Sequence, residues 1–355
     1  MRNILVIRTG AVGDFVLTLP ALRALREAFP AARLEIMGYP SILELALRRY
    51  YAERITPIDR SEMARFFIED AELPREQANY FRGFDLILVY SRDLILVHNL
   101  RRTGARQVVL ADPLPPHTPR KHTVDHLLDA LLPLNVRAKD GTPRLFPSLE
   151  DRKFAGDFLK THNIEMGEVR IAVHPGSGSP KKRWPPEKFS EAILRILDAY
   201  RAKILLISGP ADREVSEQIK RETRLACPVL VQHISLPRLA ALLEGCHLFL
   251  GNDSGVTHIA AAVGTPTVAL FGPTDPQVWG PRGEDISVVQ DDTACSPCAL
   301  QTRDRCTRQT CLKRIPVDDV LARVDRLLAE QKIIAFTSSC CPISGASVRP
   351  SPRTR

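Results

Sequence analysis

The sequence predicts an α/β protein made of two doubly wound domains of similar size, and three observations predict it. Short apolar runs without alternation recur along the chain, each followed by a turn-forming segment and then a stretch of helical period, which is the rhythm of a parallel sheet. That rhythm stops between Arg137 and Ser148, where Gly141, Pro143 and Pro147 fall among charged residues, and then starts again. The length, 355 residues, suits two domains at roughly 100–200 residues each. The expected division is 1–148, 149–332 and a tail, 333–355, whose Ser, Pro and Arg content predicts disorder.

Ile4 to Ile7 reads as a strand buried on both faces. From Phe15 to Phe29 the residues Val16, Leu19, Leu22, Ala24, Leu25 and Phe29 recur at helical spacing, and Pro30 ends the pattern. Leu34 to Met37 is the next strand. Ser41 is expected to cap a helix carrying Ile42 to Leu47, with Arg48-Arg49 at its C-terminus. Strands follow at Asp85 to Tyr90 and Gln107 to Ala111, then a helix from Val124 to Leu132 stopped by Pro133. After the break, strands are expected at Val169–Val173, Lys203–Ile207, Val229–Val231, His247–Leu250 and Thr267–Phe271. Helices are expected at 186–200, 212–223, 236–243 and 256–263.

A hydrophobic share of 44% and a charged share of 25% exclude global disorder, collagen and coiled coil. No window reaches the ~18 uninterrupted apolar residues that a membrane span needs. The run Ile4–Ile7 is too short for a signal peptide, so the expected location is cytoplasmic. The net charge of +8 invites a nucleic-acid reading. Four of those charges, Lys332, Arg349, Arg353 and Arg355, lie in the last 24 residues, which hold no acid, and the lysines and arginine at 181–183 fit a diphosphate site, so no nucleic-acid partner is expected. Cys227 and Cys246 read as small core residues in a reducing compartment.

Three loops carry chemistry. Arg8-Thr9-Gly10-Ala11-Val12-Gly13-Asp14 joins a buried strand to a helix, where ligands of open α/β sheets bind. Its G-x-x-G spacing is not the dinucleotide fingerprint. On residue type alone, Asp14 could cap its helix or offer a carboxylate to a ligand. The second loop, His174 to Trp184, offers Gly and Ser groups and three consecutive cations to phosphate oxygens, without Walker spacing. Trp184 and Pro185-Pro186 argue against a merely solvated basic loop. The third, Asn252-Asp253-Ser254-Gly255-Val256-Thr257-His258, opens a helix, whose first-turn amides make an anion site. A capping cluster with a core-facing His258 fits the same letters. Both loops follow strands and should open on one sheet edge, together with Phe271-Gly272-Pro273-Thr274.

Taken together, these stretches resemble glycosyltransferase family nine, the lipopolysaccharide heptosyltransferases. The likeness rests on Gly13-Asp14 with Thr18-Leu19-Pro20-Ala21-Leu22, His174-Pro175-Gly176 with Lys182-Arg183-Trp184-Pro185, Asp253-Ser254-Gly255 with His258, and Leu270 to Thr274, and it covers about residues 1–330. The resemblance implies a GT-B architecture of two Rossmann-like domains facing a central cleft, with acceptor bound by the first and nucleotide sugar by the second. It also implies inverting transfer from ADP-L-glycero-D-manno-heptose to the phosphorylated lipopolysaccharide core, at the inner face of the cytoplasmic membrane, without metal or cofactor. Asp14 then matches the general base. Ser177, Gly178, Lys182, Asp253, Ser254, Gly255 and His258 match the donor site, and the adenine is expected near Gly209 and Ile234. Arg101-Arg102 and Arg120-Lys121-His122 could meet acceptor anions or could be solvated surface. A related transferase or epimerase using another nucleotide sugar, and a non-catalytic nucleotide-sugar-binding protein, are the alternatives.

Cys295, Cys298, Cys306 and Cys311 are spaced C-x2-C-x7-C-x4-C. The spacing matches no standard zinc knuckle, and structural zinc, a labile disulfide and free thiols all stay open. Cys340-Cys341 falls outside the pattern.

Overall fold

The computed structural model describes residues 1–116, 118–165, 167–223, 228–333 and 335; the expectations for Cys227, for Cys340-Cys341 and for nearly all of the tail lie outside the described residues. Five strands, β1 Asn3–Arg8, β2 Arg33–Gly38, β3 Arg54–Pro57, β4 Leu86–Tyr90 and β5 Val108–Ala111, form one sheet in the order β3-β2-β1-β4-β5. Six more, β6 Arg170–His174, β7 Lys203–Ile207, β8 Val229–Val231, β9 Leu248–Asn252, β10 Thr267–Phe271 and β11 Ile286–Gln290, form a second in the order β11-β10-β9-β6-β7-β8. All pairings are parallel. The strand order reverses between β1 and β4 in one sheet and between β6 and β9 in the other. At such a point the loops leave in opposite directions and open a crevice at the carboxyl ends of the strands.

The strands alternate between two buried faces. Ile4 and Val6 pack toward α1, Val12–Ala28, while Leu5 and Ile7 pack with Met37, Phe81 and Leu96 on the other side. Burial on both faces is why these runs show no polar alternation. The cluster that holds Ile4 and Leu22 continues through Ile259 and Phe249 of the second half. This continuity comes from α1 packing on the helix Gly255–Ala262.

Some expected elements differ. The helix expected from Ser41 to Leu47 is only one turn, Pro40–Leu43, with Pro40 in its first position. The chain then folds back so that Leu47 bridges Ala52, with Arg48 and Tyr50 at φ 53° and 87°. Leu43, Leu45 and Ala46 are buried anyway, so the apolar residues fill the core without a helix. The helix after His122 ends at Asp129, and Pro133 sits inside a 3-10 turn, Leu132–Leu134. The edge strands β3 and β11 went unread because polar residues and a proline interrupt their apolar runs, RITP and ISVVQ. The segment 137–148 has no regular element and is tied to both halves. Arg23 Nη2 donates to the Asp140 carbonyl at 2.7 Å, and the Leu145 N–H donates to Ala262 at 2.8 Å.

Candidate active site

Two helix N-termini meet in the cleft. α1 follows β1, the helix Gly255–Ala262 follows β9, and the glycines Gly13 and Gly255 let their first turns touch. Around this contact lie two chambers. One, of about 430 Å³, runs past Gly209, Val231, Ile234, Leu239 and Val256 and is mainly apolar. The other, of about 930 Å³, is lined by Asp14, Lys182, Asp253 and His258, with Arg92 and Arg120 on its outer wall. Ala11, Ser177, Gly178, Ser254 and Gly255 border both chambers, so the two join at the loops after β6 and β9.

Asp14 does both things its residue type left open. Its Oδ2 accepts the Ala11 N–H at 2.9 Å, a cap, while its side chain stays 31% exposed to the larger chamber. Beneath it the buried Arg8 guanidinium lies 4.0 Å from Oδ1 and donates to Thr18 Oγ1 at 3.0 Å and to the Thr9 carbonyl.

The three cations of the second loop do not act together, contrary to the sequence expectation. Lys181 donates to the Cys306 carbonyl, and Arg183 turns back to Ser177, Ala211 and Asp212. Only Lys182 lines the chamber, with Nζ 2.7 Å from Asp253 Oδ2. Backbone carbonyls, most of them from outside the loop, and the Asp212 carboxylate hold the other two. Ser177 is likewise turned inward, its Oγ donating to the Asp253 carbonyl at 2.8 Å, whereas Gly178 stands open. Ser254 caps its helix by accepting the Thr257 N–H. His258 is buried, with Nδ1 lacking a partner among the described residues. Burial pulls its pKa down to about 4, so the ring is neutral near pH 7.

Several residues beyond those matched to the donor and acceptor roles shape the site. Asn252 Nδ2 donates to the Pro175 carbonyl at 2.7 Å and its Oδ1 accepts the Trp184 N–H, which locks the second loop onto the third. Arg92, Trp279 and Arg303 line the larger chamber. Arg92 sits two residues beyond β4, so the rule that ligands gather at strand ends could have found it. Of the basic runs, Arg120 reaches the chamber, 3.6 Å from Asp275, while Arg101 and Arg102 lie outside its lining.

The cysteine cluster does not meet the zinc reading. Among the described residues no three His, Cys, Asp or Glu side chains converge as metal ligands, and Cys295, Cys298, Cys306 and Cys311 are free thiols. Each thiol has its own local setting: Cys298 donates to the Cys295 carbonyl, Cys306 accepts the Gln309 N–H, and Cys311 is buried.

The model of glycosyltransferase family 9 (heptosyltransferase) matches residues 102–307. The chain is a member of glycosyltransferase family 9. This transferase is 26% identical to lipopolysaccharide heptosyltransferase 3 of Escherichia coli over 344 residues, covering 89% of this chain and 96% of the relative. Its fold is similar to a glycosyl transferase family 9 structure from Veillonella parvula, with a TM-score of 0.78 and 22% identity over 93% of this chain and 98% of that one. It is also similar to the E. coli ADP-heptose lps heptosyltransferase II, with a TM-score of 0.70 and 19% identity over 94% and 100%. The transferase thus has the two-sheet GT-B fold, and among its described residues no helix is long and apolar enough to cross a membrane.

Proposed function

We propose that this transferase moves a heptose from ADP-L-glycero-D-manno-heptose to the phosphorylated inner core of lipopolysaccharide, with inversion and without a catalytic metal. The observation that carries the reading is the joined pair of chambers. An apolar chamber suits the adenosine, the junction with its helix N-terminal amides suits the diphosphate, and the larger chamber holds Asp14 opposite Lys182 and Asp253. The relatives' names supply the donor and acceptor classes.

In this reading residues 1–148 bind the acceptor and 149–332 the donor. Asp14 Oδ1, the oxygen not used as a cap, removes the proton of the acceptor hydroxyl as that oxygen attacks the anomeric carbon. The C–O bond to the diphosphate breaks on the far side, which inverts the centre. Negative charge grows on the leaving diphosphate, and the amides of Gly255 and Val256 and the Lys182 ammonium are placed to receive it. Lys182 would leave Asp253 for the phosphate, freeing that carboxylate for sugar hydroxyls. Neutral His258 offers a hydrogen bond to the same region, and Ser177 and Gly178 shape the phosphate loop. Arg92 and Arg120 on the outer wall suit an anionic acceptor presented at the inner membrane face.

The test is to incubate the protein, in the presence of EDTA, with ADP-heptose and truncated lipopolysaccharide acceptors. Mass spectrometry should find an acceptor heavier by one heptosyl residue together with free ADP, and NMR should find the anomeric configuration inverted. A product formed only from another nucleotide sugar overturns the donor assignment, and retention of configuration overturns the single displacement.

A further inference from the structure

Asp212, which no sequence pattern picked out, sits at the end of the short turn after β7 and is 6% exposed. Its Oδ2 lies 3.2 Å from His174 Nε2 and its Oδ1 accepts from Arg183 Nη2 at 3.1 Å. The carboxyl group occupies the space beside Gly176, where a Cβ would fall 2.0 Å from Asp212 Cγ. On the other side of the imidazole, Nδ1 is 3.1 Å from Ser254 Oγ. A carboxylate can only accept, so Nε2 donates to Asp212, and Nδ1 is left facing the Ser254 hydroxyl. A continuous chain, Arg183 to Asp212 to His174 to Ser254, therefore runs beneath the junction of the two chambers. It ties β6 to β9 at the point where the strand order reverses.

We propose that Asp212 and His174 are positioning residues for the donor diphosphate, acting through Ser254. Through its hydrogen bond to the serine, His174 keeps Ser254 Oγ turned inward, where that oxygen also takes the Thr257 N–H. The N–H groups of Gly255 and Val256 then stand clear at the junction, unblocked by a rotating hydroxyl. Asp212 fixes the ring's tautomer and orientation. Its own charge would repel a diphosphate, and Arg183 neutralises it from behind, which gives that arginine a role other than direct phosphate contact. The inference rests on the donor-site reading above and adds the residues that make it rigid.

The experiment compares wild type, Asp212→Asn, Ser254→Ala and the double variant by calorimetric titration with ADP, steady-state transfer and thermal melting. Asn keeps the shape of Asp212, so the loop still seats over Gly176, but it has one accepting oxygen where Asp212 accepts from both Nε2 and Arg183. Asp212→Asn should weaken ADP binding and raise the donor KM by about tenfold, while kcat stays within about threefold. Because both groups act along one chain, the double variant should bind ADP no more weakly than the poorer single variant. His174→Gln, whose amide can reach Asp212 but not Ser254, should show the same loss and provides a second route if Asp212→Asn melts early. Wild-type ADP affinity in Asp212→Asn, or losses that multiply in the double variant, overturns the positioning role alone. Failure of the wild type to bind ADP overturns the donor-site reading and this inference with it.

Discussion

Gly13 and Gly255 touch across the cleft: a Cβ on Gly255 would lie 3.1 Å from the Gly13 nitrogen and 2.6 Å from Val12 Cβ. A Cβ on Gly13 would in turn meet His258 Cδ2 at 3.0 Å. Two helices from different sheets thus begin at the same place. Their contact brings Asp14, from one half, and His258, from the other, to a single chamber.

Gly255→Ala should therefore push the halves apart. The new methyl meets backbone and a β-branched side chain, neither of which can swing away, so a destabilisation of about 1–3 kcal/mol is expected. Urea unfolding measures it, and an alanine variant as stable as wild type would show that the two first turns can separate freely.

Asp14→Asn should lower kcat by about 10²–10⁴, the usual contribution of a general base, and leave ADP affinity unchanged. Asn can still cap Ala11 through its oxygen, so the helix start should survive. Single-turnover transfer and ADP titration check both halves of this expectation; near-normal turnover would remove Asp14 from the chemistry.

Lys182→Ala should leave the Asp253 carboxylate, which is 5% exposed, without its counter-charge. Stability should fall by about 1–3 kcal/mol, and ADP binding should weaken with it. Adding Asp253→Asn should restore most of the stability and none of the ADP affinity. Recovery of both in the double variant would mean that Lys182 serves only the ion pair.

His258 gives a pH signature. Burial is the main reason its pKa lies near 4; Asp253 and Asp14 raise it and Lys182 and His122 lower it. An exposed histidine titrates near ~6.5, so between pH ~6.5 and ~4 the unfolded chain binds a proton that the folded chain refuses. Stability from this group is complete above ~6.5 and is lost as pH falls toward 4, by about 3 kcal/mol in total. His258→Gln should flatten that part of the profile in chemical unfolding measured from pH 7 to pH 4. Identical slopes for the two proteins would place the imidazole in solvent.

The sequence was most informative where one residue type has one physical use. Unalternating runs such as Ile4–Ile7 and Thr267–Phe271 announced strands buried on both faces, and each is a central strand or pairs with one. The edge strands β5 and β8 were legible as apolar runs, whereas β3 and β11 were not. Arg54–Pro57 is short and ends in proline, and its place in the sheet comes from pairing with β2. The helix expected after Ser41 failed for a related reason: helical spacing over one or two turns is also what a compact buried loop produces.

By itself, the sequence determined the two α/β halves, the loops that follow β1, β6 and β9 and, through their combined motifs, the family. These depend on short-range patterning and backbone freedom, which a linear string carries. Only the tertiary structure decided which way each side chain faces. It turned Lys182 toward the cleft and Lys181 and Arg183 away from it, and made Asp14 both cap and chamber wall. It also brought Asp212 under His174 from 38 residues away. A hydrogen-bond partner is chosen by geometry in three dimensions, and a run of three cations in the sequence carries no record of where its partners will lie.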